Sequence, residues 1–193
     1  MNKRSIWLSM LLVALSGFVN AANIALVPRT GQTPTAPISP APARADGGLQ
    51  KGVAWPTPRF AADATGNCII DQLTGLMWVR DLKNVNGGAV QTWSAALTTA
   101  NNGAWCGYSD WRIPNVNELL SLVNYGEIPA NWLNKTIAAG GGGFSNVAAG
   151  TYWTSTTFTQ DDAYAFYVHM LRGSLSSQAK TSSLYVFPVR GGR

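Results

Sequence analysis

Two cysteines and one histidine are the residues of this chain whose thiol and imidazole groups could act as zinc ligands, nucleophiles or bases. They are Cys68, Cys106 and His169, in a sequence of 193 residues. A structural zinc site takes four ligands, and these three do not complete one. His169 has no neighbouring nucleophile or carboxylate in the sequence that would make it a general base. The sequence therefore predicts no catalytic residues, no metal site and no cofactor.

Three other patterns have a chemical interpretation and a structural one. Calcium prefers about six to eight oxygen ligands, and the two acids at 161–162 supply few of them. The four glycines of 140–143 lack the Lys-Ser/Thr that completes a phosphate-binding loop. Arg112 is an anion clamp in one interpretation. We favour a structural role, in which Arg112 pairs with Asp110 or Glu118 or donates to backbone carbonyls.

Much of the tryptophan lies in or beside two short blocks that also hold both cysteines. The blocks are Cys68-Ile-Ile-Asp-Gln-Leu-Thr-Gly-Leu-Met-Trp78 and Cys106-Gly-Tyr-Ser-Asp-Trp-Arg-Ile-Pro114. Their tryptophans, with Trp105, are either platforms on which a glycan stacks or members of the core. We favour the core for Trp78, Trp105 and Trp111, because large aromatic side chains dominate the burial of apolar surface.

The N-terminus has the organisation of an exported protein. Lys3 and Arg4 precede the apolar run 6–19, and Val-Asn-Ala follows at 19–21, which is typical of a secretory signal peptide over residues 1–21. A retained anchor is the alternative, but the run is short for a membrane span. Residues 22–50 are rich in proline and predict an extended linker. The folded domain is expected over 51–193.

Export bears on the state of the cysteines, and the net charge bears on the class of partner. Oxidising compartments favour a Cys68–Cys106 disulfide, with two free thiols as the alternative. Removing Lys3 and Arg4 with the signal takes two from the net charge of +5 and leaves +3. The remaining basic residues are scattered, so nucleic acid is not an expected partner. The chain is expected to be secreted, periplasmic or on the cell surface.

The sequence predicts strands, then two helices, then further strands as the elements that position these residues. Cys68–Asp71 and Leu76–Val79 predict a hairpin. Apolar residues at helical spacing predict helices over 92–101 and from Asn115, where Glu118 completes a capping box. Strands are expected over Tyr152–Phe158, Ala163–Leu171, 175–180 and 184–189. Strands, two helices and further strands together indicate an α+β fold that is mostly antiparallel.

These blocks carry a resemblance to one family. With Trp153-Thr-Ser-Thr and the ending Phe187-Pro-Val-Arg-Gly-Gly192, they resemble the Lcl C-terminal domain, the C-terminal domain of the Legionella collagen-like adhesin. The resemblance runs from about Trp55 to the C-terminus. It implies a C-type-lectin-like fold with a loop-rich ligand face. The Glu-Pro-Asn and Trp-Asn-Asp signatures of calcium-dependent sugar-binding lectins are lacking.

The C-terminal part of the chain is similar to the targets of diversity-generating retroelements, which vary surface residues and keep the core. In that interpretation Phe166, Val168 and Met170 are scaffold. The ligand-binding residues are predicted to be Tyr167, His169, Leu171, Arg172, Ser174, Ser176, Ser177 and Gln178. Tyrosine and serine together are typical of adaptable binding surfaces. Ordinary exposed strand and turn positions are the alternative.

Three functions follow from the sequence. The first is an exported, non-catalytic module that binds a protein or glycan ligand through this C-terminal surface. The second is a structural or oligomerisation domain of a surface adhesin. The third is an enzyme of the formylglycine-generating class, whose fold is related. That class needs reactive thiols, and both cysteines are expected in the disulfide.

Overall fold

The structure is a computed structural model that describes residues 27–37, 40 and 42–191. The predicted signal peptide and residues 22–26 of the predicted linker lie outside the described residues. Over the described ranges, no helix combines the length and the apolar character needed to cross a membrane. Helices and two antiparallel sheets alternate along the chain, so the predicted α+β class is confirmed. The C-type-lectin-like assignment stays a prediction.

A four-stranded sheet joins the start of the domain to its C-terminus. Its order is β1 (Phe60–Ala62), β2 (Cys68–Asp71), β3 (Leu76–Val79) and β7 (Val189–Gly191), and every pair is antiparallel. The predicted hairpin of β2 and β3 is confirmed. A strand was predicted over 184–189, but Leu184 and Tyr185 form only isolated bridges and the strand begins at Val189.

A three-stranded antiparallel sheet follows in the C-terminal half. It has the order β4 (Thr151–Thr157), β5 (Tyr164–His169) and β6 (Ser174–Ala179). The register between β4 and β5 shifts between Trp153 and Thr157, which is a bulge on β4. β6 is at the edge of this sheet, and its only strand partner in the described chain is β5.

Two of the four described α-helices match the predicted ones. α2 (Trp93–Asn101) and α3 (Val116–Ser121) are these two, and α1 (Asp46–Leu49) and α4 (Pro129–Asn134) were not predicted. The capping box of α3 is confirmed. Asn115 Oδ1 accepts from the Glu118 backbone N–H at 2.9 Å, and Glu118 Oε2 accepts from the Asn115 N–H at 2.8 Å. Short 3₁₀ turns lie at 82–84, 86–88 and 137–139.

The two cysteine blocks belong to the core of the domain. Cys68 and Cys106 form the predicted disulfide, with a Cα–Cα distance of 6.2 Å across 38 residues. Trp78 and Trp111 are buried, as predicted, while Trp105 is half-buried and meets the Trp111 ring edge-on at 5.6 Å. The tryptophans of these blocks therefore pack the fold.

Arginines hold the loops between these elements. The Arg112 guanidinium donates to both Glu118 carboxylate oxygens at 2.7 Å, which confirms one of the predicted structural pairings. Arg190 donates to the Asp110 carboxylate at 2.7 and 3.1 Å and lies 3.7 Å from the centre of the Tyr108 ring. Arg190 thereby ties β7 to the second cysteine block.

The described part of residues 22–50, predicted as an extended linker, contacts the domain. The Arg29 N–H donates to Val53 O at 3.0 Å, and the Tyr125 N–H donates to Thr30 O at 3.0 Å. Gly31, at φ +84°, packs so closely that a Cβ there would lie 2.4 Å from Asn124 Oδ1 and collide with it. Residues 27–33 thus form a segment that lies on the domain.

Candidate ligand-binding surface

The predicted site residues lie on the hairpin of β5 and β6. Tyr167 pairs with Ser176 and His169 pairs with Ser174, while Gln178 pairs with Ala165. Residues paired across strands share a face of the sheet, and side chains alternate along each strand. Tyr167, His169, Ser174, Ser176 and Gln178 therefore share one face, which we call the hairpin face.

The hairpin face is covered near β4 and open near β6. Trp153 pairs with Tyr167, and its ring is fully buried with its Nε1 donating to Gln91 O at 2.9 Å. Tyr167 and His169 are half-buried, and Ser174 and Ser176 at the edge are exposed. Solvent access therefore increases from β4 toward the edge strand.

The opposite face of the hairpin mainly meets the core. Val168 on this face and Met170, just after the end of β5, are fully buried, as predicted for scaffold residues. Phe166 was also predicted as scaffold but is only half-buried, in edge-on contact with Phe158 at 5.3 Å. Ser177 pairs with Phe166 and lies on this face. The structure thus separates Ser177 from the other predicted residues of β6.

The turn between β5 and β6 exposes two further predicted residues. Leu171 and Arg172 are both exposed, and Leu171 is 40% accessible. The Leu171 N–H donates to His169 Nδ1 at 3.2 Å, so the imidazole both lies on the hairpin face and stabilises the turn. Gly173 has φ +67° and packs on Val123, and its carbonyl accepts from the Tyr125 hydroxyl at 3.2 Å. The turn is therefore anchored to the domain.

Two residues that the sequence analysis missed extend the hairpin face. Lys180 Nζ lies 4.2 Å from the centre of the Trp93 ring and donates to Thr157 Oγ1 at 3.0 Å. Thr157 pairs with Ala165, which places it on the hairpin face. The alternation that links Ser174, Ser176 and Gln178 continues to position 180, and that signal could have found Lys180.

The groups that could do chemistry have structural partners. Both cysteine sulfurs are committed to the disulfide, so Asp63, which lies beside them, does not join two thiolates in a metal site. Asp161 Oδ1 accepts from the Ala163 N–H at 2.9 Å and closes a local turn. Burial raises the pKa of the Tyr152 hydroxyl, which hydrogen-bonds the Ala148 backbone.

Charge pairs near the second cysteine block shift two carboxyl pKa values. Hydrogen bonds from Arg190 lower the pKa of Asp110 below its ordinary value. Burial alone would raise the pKa of Glu118, but hydrogen bonds from Arg112 and the Asn115 N–H outweigh it and the pKa is lowered. Both acids are therefore held as anions by arginines at the loops that support the domain.

The comparison with protein families agrees with these features. The sequence model of the Lcl C-terminal domain family matches residues 67–190. The chain belongs to the Lcl C-terminal domain family. The match spans more than half of the chain. It includes the disulfide and every strand apart from β1 and the last residue of β7, so the hairpin of β5 and β6 lies within it. No curated protein matches the chain.

Membership of the Lcl C-terminal domain family confirms the resemblance based on the cysteine blocks. The matched region begins at residue 67, so Trp55, Arg59 and the segment 27–33 precede it. These preceding residues nevertheless pack on the matched region and line a cavity of about 520 Å³ with Trp132. The cavity could not be predicted from the sequence, because Trp55 and Trp132 are far apart in the chain and share no pattern.

Proposed function

We propose that the chain is an exported, non-catalytic module of a surface adhesin type that binds a protein or glycan ligand through the hairpin face. One observation carries the proposal. Tyr167, His169, Ser174, Ser176 and Gln178 share a face whose scaffold partners, Val168 and Met170, are fixed in the core. Such a hairpin presents polar and aromatic groups on a rigid support. Family membership supports an adhesin-like domain located outside the cytoplasm.

The chemistry of the hairpin face suits an adaptable contact surface. Tyrosine supplies a large ring with few rotatable bonds, and serine and glutamine supply hydrogen-bonding groups. Arg172 adds a cation at the exposed turn, and Lys180 adds a second one at the far end of β6. Leu171 lies at the exposed turn beside this face, whereas Ser177, on the opposite face of β6, lies outside the proposed contact surface. These groups bind without covalent chemistry, and no metal or cofactor is part of the proposal.

Diversification of this surface is part of the same proposal. A near-copy of the codons for Ala163–Arg190, differing at adenines and lying beside a reverse transcriptase gene, is expected downstream in the DNA. Substitutions between the two copies should concentrate at Tyr167, His169, Ser174, Ser176 and Gln178, and should avoid Val168 and Met170. Sequencing of the downstream region tests this, and differences spread evenly over both faces would contradict it.

The binding test compares two faces of the same hairpin. A glycan and protein array identifies ligands of the wild-type chain, and a variant carrying Tyr167→Ala, His169→Ala and Arg172→Ala is then measured against them. Loss of binding by at least about tenfold is expected, since contact residues at the centre of interfaces often contribute that much. The control carries Tyr164→Ala and Leu175→Ala, exposed residues on the other face, and should bind as wild type. Undiminished binding by the first variant would refute the site.

Assembly through the edge strand is a second candidate function. β6 pairs only with β5 in the described chain, and Leu171, Leu175 and Tyr164 are exposed apolar side chains around it. Unpaired strand edges are templates for pairing with a further chain. Sedimentation of the exported protein tests this candidate, because a strict monomer at high concentration contradicts it.

A further inference from the structure

A cavity of about 520 Å³ lies on the side of the domain where residues 27–33 pack. Its volume falls within the range of roughly 300–1,000 Å³ that is typical of small-molecule sites. Four parts of the chain line it: the segment around Arg29, Gln50, the stretch from Trp55 to Arg59, and the region from Asn124 to Gly141. The cavity is distinct from the hairpin face, because none of its lining residues belongs to β5 or β6.

Two indole rings form the aromatic wall of this cavity. The rings of Trp55 and Trp132 have centroids 5.4 Å apart and are tilted by 40°. Their N–H groups already have acceptors, since Trp55 Nε1 donates to Arg29 O at 2.8 Å and Trp132 Nε1 donates to Gly140 O at 3.0 Å. The rings are therefore fixed, and Trp55, which is half-buried, offers apolar contact to a ligand, whereas Trp132 is only 4% exposed and packs against Trp55.

Two arginines on the same wall each have a nitrogen without a hydrogen-bond acceptor in the described chain. They are Arg59 Nη1 and Arg29 Nε, and both atoms are buried. The Arg59 side chain is only 4% exposed, and its other nitrogens are bound to Asp71 and Ser121. Buried polar groups in proteins are nearly always hydrogen-bonded. These two donors lie beside the cavity with their hydrogen-bonding capacity unfilled, and the half-buried Arg29 is the one whose guanidinium a ligand can approach.

The charges around the cavity favour an anion. Asp71 neutralises Arg59 through two hydrogen bonds, and the lining acid Glu127 is paired with Lys135. Arg29 hydrogen-bonds the neutral Gln50 side chain at 3.0 Å and has no ion-pair partner over the described ranges. One guanidinium charge at the cavity is thus left without a carboxylate. Guanidinium groups match carboxylate oxygens well in geometry.

We propose that this cavity is a second ligand site, which binds a small carboxylic acid with a ring-shaped body. The ring packs on Trp55, and the carboxylate oxygens accept hydrogen bonds from the Arg29 guanidinium. Because Arg29 belongs to the segment that precedes the family match, the site is assembled only when that segment lies on the domain. A sugar acid and an aromatic acid share this chemistry.

Tryptophan fluorescence of the full exported chain, titrated at millimolar concentration, tests the site. The probes are benzoate and glucuronate, each with a neutral counterpart, benzamide and glucose. At least one of the two acids should bind saturably, with an affinity about tenfold or more higher than that of its neutral counterpart. Binding of benzoate would identify the natural ligand as an aromatic acid, and binding of glucuronate would identify it as a sugar acid. Absence of saturable binding by both acids, or equal affinity for acid and neutral counterpart, overturns the proposal.

Two exposed neighbouring alanines provide a matched pair of variants. Ala138 lines the cavity and Ala139 does not, so Ala138→Trp should block binding of the acid and Ala139→Trp should leave it unchanged. Arg29→Gln should weaken the acid about tenfold and leave the neutral counterpart unaffected. Equal binding by the two alanine variants would contradict the location. The triple variant of the hairpin face should bind the acid as wild type does, which separates this site from the proposed function.

Discussion

Arg59 and Asp71 form a buried ion pair that joins the start of the domain to the first hairpin. Arg59 Nε donates to Asp71 Oδ1 at 3.0 Å, and Nη2 donates to Oδ2 at 2.7 Å. The two side chains are 4% and 0% exposed. Asp71 also accepts from the Leu73 N–H and the Thr74 hydroxyl at the turn between β2 and β3. One carboxylate thus connects β1, the turn and the cavity wall.

Removing one partner of this pair should destabilise the domain strongly. Asp71→Ala leaves the Arg59 guanidinium buried without its counter-charge, and such changes cost about 3–5 kcal/mol. Urea denaturation of the variant measures the loss. Asp162→Ala, at an exposed position, is the control and should stay within about 0.5 kcal/mol of wild type. Equal stability of the two variants would show that the pair contributes little.

The disulfide should contribute substantially to stability. A loop of 38 residues closed by Cys68 and Cys106 is expected to stabilise the domain by about 4 kcal/mol through the unfolded state. The variant with both cysteines replaced by serine should therefore unfold at clearly lower denaturant concentration. Adding a reductant should shift the wild-type midpoint toward that of the variant and leave the variant unaffected. A wild-type midpoint that reductant does not change would contradict a stabilising role.

Glu118 should make the stability depend on pH in the acid range. Its pKa is lowered in the folded domain, so the unfolded chain binds the proton more readily and stability falls as the pH drops from the ordinary carboxyl range through the folded pKa. Arg112 is 42% exposed at its side chain, so solvent screening keeps the effect to about 1 kcal/mol. Glu118→Gln should flatten this part of the pH profile. An unchanged acid slope would argue against the contribution of Glu118.

Gly173 should be more sensitive to substitution than another glycine of similar backbone conformation. Gly173 and Gly75 have φ +67° and +72°, but a Cβ at 173 would lie 2.8 Å from Val123 Cγ1, whereas a Cβ at 75 meets nothing within 4 Å. Gly75→Ala is expected to cost about 1 kcal/mol for the backbone alone. Gly173→Ala should cost about 1–3 kcal/mol more because of overpacking, and should weaken ligand binding through the displaced turn. Equal costs would mean that the contact with Val123 relaxes freely.

Local signals in the sequence predicted the elements that depend on local chemistry. Asn115 and Glu118 are three residues apart, so the capping box could be predicted without the fold. The hairpin of β2 and β3 carries its turn residues between two apolar runs. α4 escaped prediction because its six residues carry no side-chain cap, whereas α3, of the same length, is marked by Asn115 and Glu118.

Packing between distant residues could not be predicted in the same way. Ala165 shares the hairpin face with Tyr167 and His169 by alternation, but it is fully buried whereas they are half-buried, so alternation alone does not give the burial. The acid nearest to Arg59 in the sequence is Asp63, whereas the acid that pairs with it is Asp71. The cavity unites Arg29, Trp55 and Trp132, and only the folded chain brings them together.

Hydrogen exchange measured with and without the array-identified ligand tests whether the hairpin face binds the ligand. We expect slower amide exchange in residues 164–179 on ligand binding, with the strongest protection in the exposed edge strand β6 and the turn at Leu171 and Arg172. Exchange around Trp55 and Trp132 should stay the same, since the cavity is a separate site. Protection confined to other parts of the domain, with β6 unchanged, would contradict ligand binding by the hairpin face.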